Sequence, residues 1–161
     1  MHDQQYNSRL AWKRTVKVFR RLKPTSTQAP CALTIGNFDG VHRGHQALLH
    51  KLVEGAHTRQ LNSCVLTFEP HPREFFSPHD APPRIQTIRD KLMALKQYEV
   101  DTIAIEEFNQ TFSQLSPTEF VQEILIRKLN TKWLLIGDDF CYGAKRAGNF
   151  ESLVAAGKQF G

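Results

Sequence analysis

The sequence predicts an α/β fold built on an open parallel sheet with helices on both faces. Four short runs rich in apolar and β-branched residues alternate with segments whose apolar residues recur at helical spacing, which is typical of βαβ units. Three of the four runs are nearly continuously hydrophobic, as expected of parallel strands covered on both faces. A chain of 161 residues, 40% of them hydrophobic, is long enough to bury the core of one such domain.

The predicted strands are residues 31–35 (CALTI), 64–68 (CVLTF), 102–108 (TIAIEEF) and 133–137 (WLLIG). A further strand is predicted around Val16 and Val18, where Lys and Arg alternate with apolar residues. Such a charged outer face suits a strand at the edge of a sheet, because it discourages pairing with other chains. An amphipathic targeting peptide over residues 9–23 is the alternative interpretation of this basic stretch.

Three helices are predicted between the strands and a fourth near the end of the sequence. Their apolar stripes are, in order, Leu48, Leu49, Leu52, Val53 and Ala56; Ile88, Leu92, Met93 and Leu95; and Phe120, Val121, Ile124, Leu125 and Leu129. The third helix opens with SPTE at residues 116–119, a capping box with proline at the first helical position. The fourth begins near Asn149 and has no strand after it, so we expect its βα unit to continue in a larger protein.

Composition excludes several classes of partner. The net charge of +5 comes from residues 1–24, which carry +6, whereas residues 25–161 carry −1, so no nucleic-acid partner is expected. No apolar run approaches the roughly 20 residues that cross a bilayer, and no secretory signal is present, so no membrane association is expected. Three widely spaced cysteines, Cys31, Cys64 and Cys141, indicate free thiols in a reducing, cytoplasmic compartment.

Two glycine-containing loops follow the first and last predicted strands, at the sheet edge where α/β proteins bind ligands. GNFDGVHRGH begins at Gly36 and GDDFCYGAKRAGN begins at Gly137. Between them, residues 69–87 hold five of the eight prolines together with Phe75 and Phe76. A loop of this length in a compact domain usually serves a function, and its aromatic residues favour an ordered binding role.

His42 and His45 are the leading candidates for catalytic residues. The glycines of GNFDG allow a tight turn, and the helix that follows offers unpaired N–H groups and a dipole that attract phosphate. Residues three apart share a helix face, so both imidazoles are expected to point at one spot, with Gly44 leaving room for a phosphate. Two alternatives stay open. The histidines could simply cap the helix at the surface, or they could bind a metal with Asp39, although zinc needs further ligands.

GNFDGVHRGH resembles the signature of the nucleotidyltransferase superfamily, which has a Rossmann-like fold. With FEPHP at residues 68–72 and GDDFCYGAKRAGN at residues 137–149, the chain resembles the N-terminal FMN adenylyltransferase domain of bacterial bifunctional riboflavin kinase/FAD synthetase, from about Val16 onward. This resemblance implies transfer of AMP from ATP to FMN, giving FAD and pyrophosphate with Mg²⁺. It implies direct attack by the FMN phosphate, so that catalysis is mainly alignment and charge stabilisation.

The same resemblance implies roles for individual residues. His42 and His45 would contact the ATP phosphates as the catalytic pair, and no metal site made of protein side chains is predicted. The nucleotide site would comprise Gly36, Asn37, Phe38, Asp39, Gly44, Asp139 and Arg146. Asp139 would help to hold Mg²⁺ or the adenosine, and Arg146 would meet phosphate, the alternatives being a helix cap and a solvated arginine. The flavin site would comprise Phe68, Pro70, Pro72 and Phe76, the alternative being a rigid loop with an apolar plug.

The resemblance also implies a domain organisation. Residues 1–14 would be an N-terminal extension, for which disorder is one alternative, and residues 15–161 would be the adenylyltransferase domain, truncated at its C-terminus. A Ser/Thr-rich motif ending in arginine and the riboflavin kinase domain would follow in the full-length protein. We therefore expect no kinase activity and weak adenylyl transfer from this chain. The alternative functions are another adenylyltransferase of the superfamily and a non-catalytic flavin- or nucleotide-binding fragment.

Overall fold

The computed structural model describes residues 15–23 and 29–161, and the predicted N-terminal extension lies outside them. Five strands of this part form one sheet: β1 Lys17–Arg20, β2 Cys31–Ile35, β3 Asn62–Glu69, β4 Thr102–Glu107 and β5 Thr131–Leu135. Their order across the sheet is β1-β4-β3-β2-β5, and all neighbouring strands are parallel. The predicted open parallel sheet is therefore confirmed, and the basic strand around Val18 lies at its edge as β1.

The helices occupy the connections between strands. They are α1 Arg43–Thr58, α2 Pro72–Phe76, α3 Ile88–Lys96, α4 Gln110–Ser113, α5 Pro117–Glu119 and α6 Phe150–Phe160. Helix α5 continues over Phe120–Lys128 with π-type hydrogen bonds, and a 3₁₀ turn covers Ala144–Arg146. Helices α2 and α4 are too short for apolar periodicity to predict them. No helix in the described ranges is both long and apolar enough to cross a membrane.

Side chains that alternate along the central strands build two separate cores. Ala32 and Val65 belong to one core with α1 and α3. Leu33 and Leu66 belong to the other core with the helix Phe120–Lys128 and α6. Because successive residues of a strand point to opposite faces, the two cores lie on opposite sides of the sheet. Helices on both faces are therefore confirmed.

The helix start signals form as the sequence predicts. The Ser116 hydroxyl accepts a hydrogen bond from the Glu119 N–H at 3.2 Å, and Glu119 Oε2 accepts one from the Ser116 N–H at 2.8 Å. All five apolar residues predicted for the stripe of the third helix are buried. Asn149 caps α6, because its Oδ1 accepts from the Ser152 N–H at 3.0 Å.

The cysteines are free thiols, as predicted. Cys31 and Cys64 are buried on neighbouring strands, and the Cys31 thiol donates to the Leu129 carbonyl at 3.2 Å. Cys141 is only partly buried. The two buried thiols therefore act as small core residues.

Three strands differ from the prediction at their ends. Strand β3 extends beyond the predicted range 64–68 at both ends. Strand β5 begins and ends two residues before the predicted range 133–137, because Asn130 turns the chain with a φ of 50° just before the strand starts. Strand β4 ends at Glu107, which leaves Phe108 in the loop that follows. The corrections to β4 and β5 lengthen the loops at the carboxyl rim of the sheet.

One predicted core residue of α3 is wrong. Met93 is 58% exposed, whereas Leu95 is fully buried. The inward position one turn before Leu95 is taken by Lys91, which is only 5% exposed. A buried lysine runs against the usual preference for apolar side chains, so hydrophobic periodicity alone assigns this helix face incorrectly.

A largely buried ion pair joins β4 to the helix Phe120–Lys128 and to the chain after β1. Glu106 is 8% exposed; its carboxylate accepts from the Leu22 N–H and from Lys128 Nζ, both at 3.2 Å. We expect Glu106→Ala to lower the free energy of unfolding by about 3 kcal/mol, because a poorly hydrated ammonium and a backbone N–H lose their partner. Urea denaturation measures this loss.

The matched control is Glu123→Ala. Glu123 pairs with Arg127 at 3.0 Å on the same helix, but both side chains are well exposed. Exposed pairs of this spacing contribute about 0.3–0.5 kcal/mol, so the control should unfold almost as the parent chain does. Equal losses in the two variants would show that burial of the Glu106 pair is unimportant.

Candidate active site

The loops after the parallel strands meet at one rim of the sheet, because carboxyl ends of parallel strands share an edge. Strand β2 leads into residues 36–41, called the turn from here on. Strand β3 leads into residues 70–87, called the strap, and β5 leads into residues 137–149, called the rim loop. All three sequence-predicted loops therefore lie at the same edge of the sheet, where its parallel strands end.

The turn is bonded to the sheet beneath it. The Gly36 N–H donates to the Leu66 carbonyl at 3.0 Å, and the Thr67 hydroxyl donates to the Asn37 carbonyl at 3.2 Å. Phe38 has a φ of 48° and a fully buried ring. A Cβ at position 36 would lie 2.9 Å from that ring, so glycine is required there. The side chain of Phe38 belongs to the core, and any nucleotide contact of this residue is left to its backbone.

His42 caps α1 and stacks on His45. Its Nδ1 accepts from the N–H groups of Gly44 at 3.2 Å and His45 at 3.4 Å. The two imidazole rings lie with centroids 3.7 Å apart and planes inclined by 22°. Helix capping, an alternative left open by the sequence, is therefore carried out by His42 while its ring faces His45. Because Nδ1 accepts hydrogen bonds, the proton of the neutral ring sits on Nε2, which is left to donate.

The N-terminal amides of α1 are less available to phosphate than the sequence predicts. Two of them, on Gly44 and His45, already donate to His42. A phosphate arriving at this helix end therefore meets the imidazole of His42 instead of these amides. Gly44 also has a second reason to lack a side chain, since a Cβ there would lie 3.1 Å from the His42 ring.

The ring of His45 contacts two other rings. Its centroid lies 4.9 Å from that of Phe38 and 3.7 Å from that of His42. Its Nδ1 is buried and has no hydrogen-bond partner among the described residues. Burial lowers the pKa of His45, His42 lowers it further, and the carboxylate of Asp39 opposes both effects. The imidazole is therefore neutral at pH 7 in the free protein.

Asp39 is engaged by the strap. Its Oδ1 accepts from the Gln86 N–H at 3.2 Å, and its Oδ2 accepts from the Ile85 N–H at 3.3 Å. Within residues 15–23 and 29–161, no three His, Cys, Asp or Glu side chains are grouped so as to hold a metal. The alternative of a metal bound by Asp39 with His42 and His45 therefore finds no support in this part of the chain.

The strap is ordered by a short helix and by ion pairs. His71 caps α2, because its Nδ1 accepts from the Arg73 N–H at 3.0 Å. Arg84 Nη2 lies 2.6 Å from a Glu74 oxygen and 2.7 Å from a Glu69 oxygen. Hydrogen bonds to Glu74 and then Glu69 raise the pKa of Arg84, and the same bond lowers the pKa of Glu74. The proline-rich segment is thus a fastened element with a defined shape.

Five phenylalanine rings cluster where the strap meets β3 and β4. They are Phe68, Phe75, Phe76, Phe108 and Phe112, and Phe108 contacts each of the other four at centroid distances of 5.3–5.9 Å. Phe76 is 64% exposed, whereas Phe68 is only 9% exposed. Pro70 and Pro72 are partly buried beside them. Of the predicted flavin residues, Phe76 is the exposed member of the cluster and Phe68 is its buried member.

Sequence reasoning missed Phe108 and Phe112. It predicts Phe108 as the last residue of a strand and assigns no role to Phe112. In the structure Phe108 follows β4, and Phe112 lies in the short helix α4. The signal was present, because both follow β4 at its carboxyl end, in EEFNQTF. Collecting the aromatic residues that follow each parallel strand would have found them.

The rim loop carries Asp139 and Arg146 on exposed positions. Tyr142 and Gly148 close the loop as an antiparallel bridge. Lys145 and Arg146 have φ values of 54° and 56°, a left-handed conformation that costs about 1 kcal/mol for each non-glycine residue. Within the described residues, neither Asp139 nor Arg146 hydrogen-bonds to the histidine pair. Both lie on the loop after β5, at the rim that also carries the histidine pair.

Comparison with known proteins assigns the family. A sequence profile described as FAD synthetase matches residues 24–161. The chain belongs to the FAD synthetase family. This membership confirms the resemblance carried by GNFDGVHRGH, FEPHP and the rim loop.

Curated relatives of this FAD synthetase family chain are each named bifunctional riboflavin kinase/FMN adenylyltransferase. The protein from Haemophilus influenzae is 47% identical over 131 residues, which is 81% of this chain and 42% of that protein. The protein from Escherichia coli K12 is 44% identical over 138 residues, 84% of this chain and 44% of that protein. The protein from Pseudomonas fluorescens is 48% identical over 127 residues, 79% of this chain and 40% of that protein. The chain thus spans about two fifths of the length of these relatives.

A solved structure shares the fold. The crystal structure titled macrolide-efflux protein from Streptococcus pneumoniae superposes with a TM-score of 0.72, at 22% identity, over 87% of this chain and 47% of that chain. Similarity at this level of identity concerns the fold alone. It agrees with the predicted Rossmann-like nucleotidyltransferase fold.

The environment of His45 predicts an unusual titration. We expect its imidazole C–H resonances to titrate with a midpoint below the ordinary histidine value of about 6.5, because burial penalises the charged form. Between the two values the unfolded chain binds more protons, so His45 destabilises the fold as the pH falls through this window. NMR titration of labelled protein measures the midpoint.

Asp39→Asn provides the comparison for this titration. It removes the carboxylate that raises the pKa of His45, so the midpoint should fall further. A midpoint at or above 6.5 in the parent chain, or a rise in the variant, would contradict the environment described for this ring.

Proposed function

We propose that this chain is an FMN adenylyltransferase domain, which transfers AMP from ATP to FMN and releases FAD and pyrophosphate. The observation that carries the proposal is the stacked pair of His42 and His45 at the start of α1, on the rim that follows β2. Membership of the FAD synthetase family and the names of the relatives support it. The phenylalanine cluster on the same rim supports a flavin as the acceptor.

The nucleotide half of the proposed site is built around the turn. Its proposed residues are Gly36, Asn37, Phe38, Asp39, Gly44, Asp139 and Arg146, with His42 and His45 as the catalytic pair. His42 Nε2–H is available to donate to a phosphate oxygen, since its Nδ1 is occupied by backbone N–H groups. Oriented donors of this kind stabilise charge that develops on phosphate oxygens, at a site that costs little reorganisation.

The proposed reaction is a direct displacement at the α-phosphorus of ATP. An oxygen of the FMN phosphate forms a bond to that phosphorus while the bond to the oxygen bridging to the β-phosphate breaks. Pyrophosphate leaves with the electron pair of the broken bond. No covalent enzyme intermediate is involved, so the work of the protein is to align the two phosphates and to stabilise the leaving charge.

The charge state of His45 fits this role. The ring is neutral without ligand because it is partly buried. Arrival of the triphosphate favours the protonated form, since a nearby anion raises the pKa of a histidine. A proton taken up by His45 on binding would place a cation next to the phosphate oxygens where negative charge accumulates.

The flavin half of the proposed site is built around the strap. Pro70 and Pro72 give the segment its rigid course, and Phe76 offers an exposed ring for stacking on the isoalloxazine. The ring of Phe76 packs on Phe108, and Phe108 in turn packs on the buried ring of Phe68. An aromatic surface of this size favours a flavin over an acceptor that has no extended ring system.

Mg²⁺ is proposed as a companion of the ATP phosphates. Mg²⁺ in phosphoryl-transfer sites is usually held by substrate phosphates and one or two carboxylates, so a cluster of protein ligands is not required. Asp139 on the exposed side of the rim loop is the proposed carboxylate. Bound there, the ion would neutralise charge on the phosphates that become pyrophosphate.

The names and lengths of the relatives support a longer protein with a second domain. We propose residues 15–161 as the adenylyltransferase domain and a C-terminal riboflavin kinase domain as its partner in the full-length protein. The substrates of the kinase half are not proposed for this chain.

Adenylyl transfer tests the proposal directly. Under single-turnover conditions, with protein in excess over α-labelled ATP, we expect label to pass into FAD when FMN and Mg²⁺ are present. His45→Ala should slow this transfer by about 100-fold or more, because a positioned donor to the phosphates is lost. His50→Ala is the control, since His50 lies further along α1 and contacts Tyr98 edge-on instead of the rim. Unchanged transfer in His45→Ala would contradict the proposal.

Acceptor choice separates the alternatives. Offering FMN, phosphopantetheine and nicotinate mononucleotide in parallel identifies the acceptor, and only FMN should release pyrophosphate. Product with another acceptor would favour a different adenylyltransferase of the superfamily. Saturable FMN binding without any product would favour a non-catalytic flavin carrier.

Phe76 tests the flavin half separately. We expect Phe76→Ala to weaken FMN binding about tenfold, because a ring that stacks on a planar ligand contributes about 1–1.5 kcal/mol. Binding of ATP with Mg²⁺ should change little, and calorimetry measures both. Met93→Ala removes a comparably exposed apolar side chain from α3 and serves as the control. An equal effect of the two variants on FMN binding would remove Phe76 from the site.

A further inference from the structure

We propose that Asp39 is a positioning residue that couples the two halves of the proposed site, by fastening the strap to the turn so that adenine-nucleotide binding and flavin binding depend on one another. The inference rests on the proposed function and adds to it a link between the two subsites. The chemistry it concerns is that of a nucleoside triphosphate on one side and of a flavin mononucleotide on the other.

The link consists of hydrogen bonds between segments far apart in the chain. Both carboxylate oxygens of Asp39 are used, one by the Ile85 N–H at 3.3 Å and one by the Gln86 N–H at 3.2 Å. The turn also donates to the strap, because the Gln86 Oε1 accepts from the Gly40 N–H at 3.2 Å. Three hydrogen bonds thus join two neighbouring residues of the turn to two neighbouring residues of the strap.

Packing reinforces this contact. The side chain of Ile85 covers Gly40, where an added Cβ would lie 3.2 Å from Ile85 Cγ2. Gly40 also has a φ of 74°, a conformation that favours glycine. The turn and the strap therefore fit closely only while position 40 carries no side chain.

Buried charge lies behind the contact. Asp39, Glu69, His71, Arg84 and Lys91 line a small cavity of about 30 Å³ under the strap. Lys91 is only 5% exposed, and the carboxylates of Glu69 and Asp39 favour its charged form against the cost of burial. Arg84 meanwhile ties Glu69, at the end of β3, to the strap. Asp39 is therefore the point where the charged underside of the strap meets the turn.

The turn itself has little freedom to move alone. Phe38, directly before Asp39, is fully buried against His45, and His42 lies three residues after Asp39. A shift of the histidine pair on nucleotide binding must either carry Ile85 and Gln86 along or break their bonds to Asp39. Contacts that must move together or break when a ligand binds are a physical means of coupling two sites.

Coupling is measured as a ratio of affinities. In the 161-residue chain, the Kd of FMN is determined by calorimetry with and without saturating Mg²⁺ and α,β-methylene-ATP, which cannot transfer AMP. We expect FMN affinity to rise at least about fivefold with the nucleotide, within the range of typical coupling between sites. In Asp39→Asn the ratio should fall below about twofold, because one of the two accepting oxygens becomes an NH₂ group that cannot accept from its N–H partner. The nucleotide affinity must change by the same factor when FMN is added, which checks the measurement.

Controls separate coupling from loss of structure. Asp80→Asn makes the same charge change at an exposed position of the strap and should keep the parent ratio. Gln86→Ala is a second test variant, since it removes only the acceptor of the Gly40 N–H and should lower the ratio by an intermediate amount. Thermal unfolding of each variant verifies that it is folded.

The outcomes distinguish this inference from the proposed function. A parent ratio of one, or a ratio in folded Asp39→Asn and Gln86→Ala equal to that of the parent, overturns the coupling while leaving both ligand sites in place. Absence of FMN or nucleotide binding in the parent chain overturns the proposed function, and the coupling with it. A loss of the ratio in Asp39→Asn but not in Asp80→Asn supports the assignment.

Discussion

Strand β2 is the constraint on which the rest of the structure depends. It is buried along its whole length, pairs in parallel with β3 on one side and β5 on the other, and separates the two cores. Because it is held on every side, the chain that leaves it at Gly36 starts from a fixed point. The buried ring of Phe38 then sets the direction of the turn, and His42 and His45 follow within one helical turn. The candidate site is thus positioned by a strand that is buried along its whole length and paired on both sides.

Neutral and charged groups occupy different parts of the rim. The imidazole of His45 is neutral at pH 7, since burial and the neighbouring His42 lower its pKa. The charges lie instead under the strap, where Arg84 and Lys91 face Glu69 and Asp39. An anion that approaches this end of α1 thus meets imidazole rings and not a permanent positive charge. The ion pairs beneath the strap serve instead to fix the shape of the strap.

The sequence predicts most of the fold and part of the site, for physical reasons. Continuous apolar runs identify β2, β3 and β5, and a capping box marks the start of α5. The burial of Lys91 could not be predicted, because its compensation comes from carboxylates brought near only by folding. The role of Asp39 is hidden in a similar way. Its partners are backbone N–H groups 46 and 47 residues away, and a backbone group leaves no trace in the identity of a residue.

Aromatic contacts extend beyond the strap in an unbroken series. From Phe112 the rings continue to Phe120 at 6.1 Å and to Tyr142 at 5.2 Å, and Tyr142 fits over Gly148, where a Cβ would lie 2.5 Å from its ring. The series thus joins the middle of the rim to the rim loop at its far end. A bulkier side chain at position 148 would collide with the ring of Tyr142, and a shift of that ring would in turn disturb Phe120 and Phe112. The shape of the rim loop is therefore tied to packing several strands away.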